Sequence, residues 1–397
     1  MNDMDAPTLP VALTAAEAAA RLGVSRQTLY AYVSRGLLRA HASQGQRTSR
    51  YDAGEVDRLA GRRAGGRKPK EVARATLNWG VPVLASAITL LANGRLCYRG
   101  QDAVALSRSA SVEDVAALLW DMPAAAAFGG RAPPRRKARG AMTDVSSDTL
   151  LARFAAATGD DPTALWQMDS ARIAEGCGAL LRAQAACLLG SAPSAAPIHV
   201  QCAEAWKLDK ADADLIRMAL ILCADHELNA SSFTARCVAS TGASLRAAII
   251  GGLAALSGPR HGGMTARIEA FWDTLDAAPR PEVIVRQRLT GGEGVPGFGH
   301  PLYPDGDVRA VALLDRILPH HAPWRRWIEE VTALTGQFPN IDLGLVALRR
   351  DLRLPAGTAF GLFALGRSIG WIAHALEQRA DTQLIRPRAM YVGPLPE

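Results

Sequence analysis

Three histidines stand where a packed core rarely puts them. His226 lies in CADHELNAS (223–231), His261 in SGPRHGG (257–263) and His300 in PGFGH (296–300), each among glycines or small polar residues. Glycine lets the backbone approach a ligand closely and take positive φ. An imidazole donates or accepts protons near neutral pH, so three in one pocket could polarise carbonyl oxygens or move protons. A carboxylate is also at hand: in QFPNID, Asp342 follows a proline-fixed turn and precedes the apolar run LGLVAL. An acid there can serve as a helix cap or, desolvated beside the histidines, as a general base. Arg309 follows His300 by nine residues, Arg367 sits inside FGLFALGRSIGWIAHALEQ, and Arg386 precedes a proline in LIRPR. A guanidinium among Phe363, Leu365, Ile369 and Trp371 is costly unless an anion meets it, either an internal acid or a ligand. Three such forks suit a small di- or tricarboxylate. No metal is indicated: no C-x-x-C pair occurs, and the histidines do not share a helix at i, i+4.

The elements that hold these residues read as helices. The chain has 397 residues, 49% of them hydrophobic, with alanine and leucine far ahead of β-branched and aromatic types. Helical segments broken by Gly and Pro are expected in VPVLASAITLLANG, SVEDVAALLWDMP, DADLIRMALILCADHELNAS and GASLRAAIIGGLAALSG, with a capping arrangement at Ser111 and Asp114. APPRRKARG (132–140) reads as a basic loop. The N-terminus carries acids where a secretory signal carries lysines, and no apolar run approaches the ~18 residues of a membrane span. A soluble cytoplasmic protein without a membrane partner is the expectation. The six cysteines lie singly and read as buried free thiols.

Charge divides the chain. The first 70 residues hold twelve Lys/Arg against six Asp/Glu, while the rest is nearly balanced. That asymmetry suggests a small module that meets a polyanion. LTAAEAAARLGVSRQTLYAYVSRGLL reads as two helices about a tight turn: a Thr14/Glu17 capping box, Ala18, Ala19 and Leu22 inward, Gly23 as stop, Ser25 as the second cap. Leu29, Tyr30 and Val33 are expected to pack inward, a polar hairpin to span Ser43 to Arg50, and Asp52 to cap a third helix. Residues 1–63 resemble the winged helix-turn-helix of MerR-like and excisionase-like proteins. That resemblance implies groove contacts from Arg26, Gln27 and Thr28 and phosphate contacts from Arg47 and Arg50. Residues 64–76 read as a basic linker.

In order and spacing, DHELNAS, SGPRHGG, PGFGHPLYPDGDVRA, FPNID, LFALGRSIGWIAHALEQ and LIRPRAMYVG resemble the citrate synthase family over residues 77–397. The resemblance implies an all-α fold with a large helical domain, a small domain at about 262–352, and a homodimer. It implies that Asp342 deprotonates an acyl-CoA, His261 stabilises the enolate, and His300 polarises the oxaloacetate carbonyl. His226, Arg309 and Arg367 would hold the oxaloacetate carboxylates, with Arg386 supplied by the second subunit. The backbone of Val295, Pro296, Gly297, Phe298 and Gly299 would lie against the CoA adenine. Acetyl-CoA or propionyl-CoA is then a co-substrate, and neither a permanently bound cofactor nor a metal is called for. Three departures stand out: Met264-Thr265-Ala266 in place of Ala-Asn-Glu, Asp307-Val308-Arg309 in place of Asp-Pro-Arg, and Pro301 in place of a basic residue. A second functional reading is a DNA-binding regulator whose body senses oxaloacetate or acyl-CoA.

Overall fold

The stop and start signals in the sequence end and begin helices largely as expected. In the computed structural model, the described residues are 12–34, 37–42, 49–64, 84–130, 145–156, 162–389 and 391–394. They fall into two compact units, Met1–Ala85 and Ser86–Glu397. The linker and the basic loop 132–140 lie almost wholly outside the described residues, as does Arg47.

In the first unit the Thr14 hydroxyl accepts from Glu17 N while the Glu17 carboxylate accepts from Thr14 N, closing the capping box of the helix Ala15–Leu22. Gly23 ends that helix at φ 61°. Ser25 caps the helix Arg26–Ser34 through Thr28 N, and Asp52 caps the helix Ala53–Ala64 through Glu55 N. Strand Ser49–Asp52 pairs antiparallel with both Ala12–Thr14 and Ala40–Ala42. Leu13, Ala18, Ala19, Leu22, Leu29, Tyr51 and Val56 make the core. Arg21 clamps the first helix to the third through a two-point pair with Asp57. One expectation fails: Tyr30 is 53% exposed, and Tyr32 takes its place beside Leu29 and Val33. Residues three and four apart share a helix face, and Tyr30 falls about 100° round from Leu29. Arg26 and Gln27 are exposed, while Thr28 and Arg50 are half-buried.

The second unit is mostly helical, with one departure. Residues 89–92, expected as helix, form a strand that pairs antiparallel with Arg95–Tyr98, which pairs in turn with Gln101–Asp102. Asn93-Gly94 and Arg99-Gly100 form the two-residue turns, all four at positive φ. An Asn-Gly pair between apolar runs is a strong short-range hairpin signal, and it outweighs leucine's preference for helix. Tyr98 carries the sheet inward, its hydroxyl donating to Ile221 O at 2.9 Å. Further on, Ser111 and Asp114 close a second capping box.

A 24-residue helix, Thr358–Asp381, runs through the centre of this unit, buried on all sides from Thr358 to Ala375. It packs on the helices Ser170–Leu189, Lys210–Leu222, Ala230–Ser240 and Leu245–Leu256. Contrary to the sequence expectation, it is long and apolar enough to cross a membrane, yet 94% of its apolar window is buried inside the unit. A helix apolar on every side suits a protein core as well as a bilayer. Cys177, Cys202 and Cys223 are buried free thiols; Cys97, Cys187 and Cys237 are only half-buried.

Candidate functional site

Each of the three histidine segments is a turn between helices, and those flanking His226 and His261 pack on the long helix. The turn Cys223–Asn229 joins Lys210–Leu222 to Ala230–Ser240, where Ser231 N and Ser232 N donate to the Asn229 side-chain oxygen Oδ1. His261 lies in the turn between Leu245–Leu256 and the helix Met264–Asp276. His300 ends the glycine loop, and that loop is zipped to the segment carrying Asp342. Asn340 N donates to Gly297 O at 2.9 Å, Gly299 N to Phe338 O at 2.8 Å, and Asn340 Nδ2 to Gly299 O at 3.3 Å. Gly297 takes φ 88°, and a Cβ there would stand 2.8 Å from Leu343 Cδ1. The glycines of this loop thus admit the start of the helix Ile341–Asp351.

The side chains form a chain of contacts. His226 and His300 meet edge to face with centroids 5.2 Å apart, and Tyr303 touches both rings. His226 Nε2 is 3.0 Å from Tyr303 Oη. Arg309 lies over the Tyr303 ring at 5.4 Å and forks onto Asp307, Nε to Oδ1 at 2.9 Å and Nη2 to Oδ2 at 2.8 Å. Asp307 also caps the helix Val308–Ile317 and accepts Ile341 N at 3.0 Å, which ties Arg309 to the Asp342 segment. Val308 occupies the first helical position, where a proline is tolerated because the N–H needs no intrahelical partner but is not required. On the other side, His261 meets Phe363 edge to face at 6.0 Å, and Arg367 lies over the same ring at 5.0 Å. Arg367 Nε donates to Cys223 O, while its Nη2 is buried with no hydrogen-bond partner among the described residues.

Electrostatics separate the groups by role. Burial pushes His226 well below the ordinary imidazole value, with Arg309 and Arg367 adding to the effect. Burial, then Arg367, lowers His261 to about 3; burial, then Arg309, lowers His300 to about 4. All three rings are therefore neutral at pH 7. Leu302 N donates to His300 Nδ1 at 3.2 Å, so the neutral ring carries its proton on Nε2 and can donate it. Ser231 Oγ lies 2.9 Å from His261 Nε2 and 2.7 Å from Asn229 Oδ1. Asn229 Oδ1 can only accept the Ser231 proton; when the hydroxyl turns that proton to the ring instead, His261 keeps its own on Nδ1. Asp342 is raised to about 7, chiefly by burial and against the pull of Arg309. Asn340, not Asp342, caps the helix, and Asp342 Oδ1 is buried without a partner among the described residues. A buried carboxyl that titrates near 7 is a competent proton acceptor.

Not every expected residue joins this cluster. Arg386 is exposed in the irregular stretch after the long helix. Val295 and Phe298 are buried against their own chain, Phe298 meeting Trp327 at 6.1 Å. Tyr303, Asp307, Ser231, Asp225 and His374 were missed by the sequence reading. The first two lie within the stretch that holds His300 and Arg309, and their signal was a tyrosine and an acid in a loop of glycines and prolines. A cleft of about 820 Å³ lined by His199, Lys207, Asp214 and Arg316 shares no residue with the cluster. Its charges are mixed, and none of His226, His261, His300 and Asp342 lines it. Among the described residues, no three His, Cys, Asp or Glu side chains are placed to hold a metal ion.

Residues 76–388 match the sequence profile of the citrate synthase C-terminal domain, and residues 12–64 match that of a helix-turn-helix domain. The citrate synthase of Haloferax volcanii is 38% identical over 191 residues, covering 46% of this chain and 50% of that protein. The 2-methylcitrate synthase of Shewanella oneidensis is 32% identical over 200 residues, covering 45% of this chain and 50% of that protein. The chain thus spans about half the length of the curated relatives it matches. The crystal structure of citrate synthase from Thermotoga maritima superposes with a TM-score of 0.64 at 25% identity, covering 80% of this chain and 95% of that one.

Proposed function

The chain belongs to the citrate synthase family, and from that premise we propose that it condenses an acyl-CoA with oxaloacetate and hydrolyses the product to a tricarboxylate and free CoA. The observation that carries this reading is a pair of buried, unsatisfied groups of opposite kind, Arg367 Nη2 and Asp342 Oδ1, beside three neutral histidines. Unsatisfied buried polar atoms are costly, and a ligand that supplies a carboxylate to one and an acidic C–H to the other accounts for both.

Asp342 removes a proton from the α-carbon of the thioester. His261 Nδ1–H donates to the oxygen on which the enolate charge collects. His300 Nε2–H polarises the ketone of oxaloacetate, whose carboxylates meet Arg367, His226 and the remaining nitrogen of Arg309. The enolate carbon attacks the ketone carbon, forming the C–C bond, and water then cleaves the thioester. Dry surroundings strengthen each of these dipoles. Movement of a small domain at about 262–352 would exclude water, a second subunit would bring its own Arg386, and the Val295–Gly299 loop would border the CoA adenine. The relatives carry both citrate and 2-methylcitrate synthase names, and one methylene is worth only ~1–3 kcal/mol of discrimination. We therefore take acetyl-CoA and propionyl-CoA as the two candidates for a cytoplasmic enzyme. Thiol release should require oxaloacetate together with one of these thioesters, and Asp342→Ala should nearly abolish it. A rate indifferent to that substitution would remove the mechanism.

The N-terminal unit supports a second role. A helix-turn-helix profile covers residues 12–64, and the exposed Arg26 and Gln27 begin its second helix. We propose that this unit binds duplex DNA, with Thr28, Arg47 and Arg50 contributing. Binding to one selected duplex should weaken steeply with salt and fall with Arg26→Ala. Equal affinity for every duplex at low salt would leave the unit without an operator.

A further inference from the structure

Three consecutive residues of the turn that carries His226 are met by one face of the long helix. Arg367 Nε donates to Cys223 O at 2.9 Å, Gly370 N donates to Ala224 O at 2.9 Å, and His374 Nε2 lies 3.2 Å from Asp225 Oδ1. Positions 367, 370 and 374 follow the i, i+3, i+7 pattern, which places them on a single stripe. The approach leaves no room for a side chain at position 370: a Cβ there would stand 2.3 Å from Asp225 Oδ1 and 2.5 Å from Ala224 O. Asp225 and His374 are fully buried, and neither takes part in the chemistry above.

The rest of the Asp225 carboxylate is also spoken for. Its Oδ2 accepts the Thr89 hydroxyl at 2.6 Å and Glu227 N at 3.1 Å. Glu227 is held at φ 57°, in the left-handed region, so the turn needs outside support to keep that shape. His374 and Asp225 are at ion-pair distance without a well-aligned hydrogen bond between them, and His374 Nδ1 has no partner among the described residues. Burial favours the neutral Asp225 carboxyl, yet His374 and Arg367 beside it hold its pKa below the usual carboxylate value. A buried polar pair is a weak source of stability, and fixing one geometry is a better account of its presence.

We propose that His374 and Asp225 are a positioning pair that locks the 223–229 turn and so aims His226 at the ketoacid. The proposal rests on the reading of the cluster as a ketoacid site. His374→Leu should raise the oxaloacetate KM tenfold or more while leaving the acyl-CoA KM within twofold. His374→Gln, with a donor able to reach Asp225 Oδ1, should recover most of the loss. Thr89→Val, which removes the partner of the other carboxylate oxygen, should act in the same direction and more weakly. Hydrogen exchange on the ligand-free protein separates this idea from the condensation reading. The Glu227 amide should exchange at least tenfold faster in His374→Leu, with the helix Leu245–Leu256 unchanged. Equal rises in both KM values, or an unaltered Glu227 amide in a folded variant, would overturn the pair's role. If the wild-type chain releases no CoA, the condensation reading fails and the exchange measurement still decides this one.

Discussion

The start of the helix Val308–Ile317 and the middle of the helix Thr358–Asp381 each bury an arginine to 1% exposure, and the chain treats the two differently. Arg309 finds its counter-charge two residues away in Asp307, which binds it at two points and also caps the helix. Arg367 has a backbone carbonyl at Nε and nothing among the described residues at Nη2. Burial acts on both, but Asp307 more than offsets it at Arg309, whereas at Arg367 burial prevails and lowers the pKa. A charge paired inside the chain belongs to the fold; one left half-satisfied in a dry interior is, on the proposed function, the one that meets a ligand. The expectation that all three arginines serve one carboxylate-rich ligand alike therefore needs dividing: Arg309 is largely engaged from within.

The sharpest way to break this contrast is to remove the partner on the satisfied side. Asp307→Ala strands a buried guanidinium and uncaps a helix, and stranding one member of a buried pair costs roughly 3–5 kcal/mol. We expect a large fall in Tm, measured by thermal denaturation. Arg367→Met should cost much less. It deletes an incompletely satisfied charge along with its bond to Cys223 O, so stability should fall far less than in Asp307→Ala, while oxaloacetate affinity falls ~100-fold with loss of a charge-assisted contact worth roughly 3 kcal/mol. Calorimetric titration reads the affinity. Comparable stability losses in the two variants would erase the distinction.

Asp342 extends the contrast to carboxyl groups, because Asp307 has a partner and Asp342 Oδ1 does not. Its folded-state pKa, about 7, lies above the ordinary carboxyl value of 3.8. The folded state therefore holds this proton more tightly than the unfolded chain, and the group's contribution to stability is lost as pH rises from about 4 through 7. At pH 8, Asp342→Asn should stabilise the protein by on the order of 2–4 kcal/mol, with no difference below pH 4. Activity runs the other way. The base must be ionised, so kcat/KM for the acyl-CoA should climb to a plateau above pH 7. His261 and His300, lowered to about 3 and about 4, should add no limb near 6.5. A melting temperature of Asp342→Asn that matches wild type across this range would count against a desolvated carboxyl.

Which parts of this were legible in the sequence follows from the range of the forces involved. The caps at Thr14, Ser111 and Asp52 were legible because a cap is a contact over three residues. So was the placing of the three histidines in helix-joining turns, since glycine and proline punctuate locally. The strand Thr89–Ala92 was misread because its leucines favour helix, and the decisive Asn93-Gly94 turn went unweighed. Asp342 reads in the sequence as either cap or base, and the cap itself comes from the neighbouring Asn340 side chain. His374 was invisible as a functional candidate because its partner Asp225 lies 149 positions earlier, and helix periodicity assigns it only to a core.

The smallest effect tests the residue that touches both sides. The Tyr303 ring supports Arg309 at 5.4 Å, and its hydroxyl lies 3.0 Å from His226 Nε2. Burial, the larger influence, pushes that hydroxyl up to about 12, so it is protonated throughout the working pH range. Tyr303→Phe keeps the ring and removes only the hydroxyl, a net loss of about 1 kcal/mol for one hydrogen bond. The oxaloacetate KM should rise about fivefold, with little change in stability. Tyr303→Leu also takes the ring from beneath Arg309 and should lose a further ~0.5–1 kcal/mol in stability, as for a cation–π contact. Steady-state kinetics and melting curves of the two variants separate these contributions. If Phe cost as much stability as Leu, the hydroxyl would belong to the fold, and the division between a built-in side and a ligand-facing side would not run through this residue.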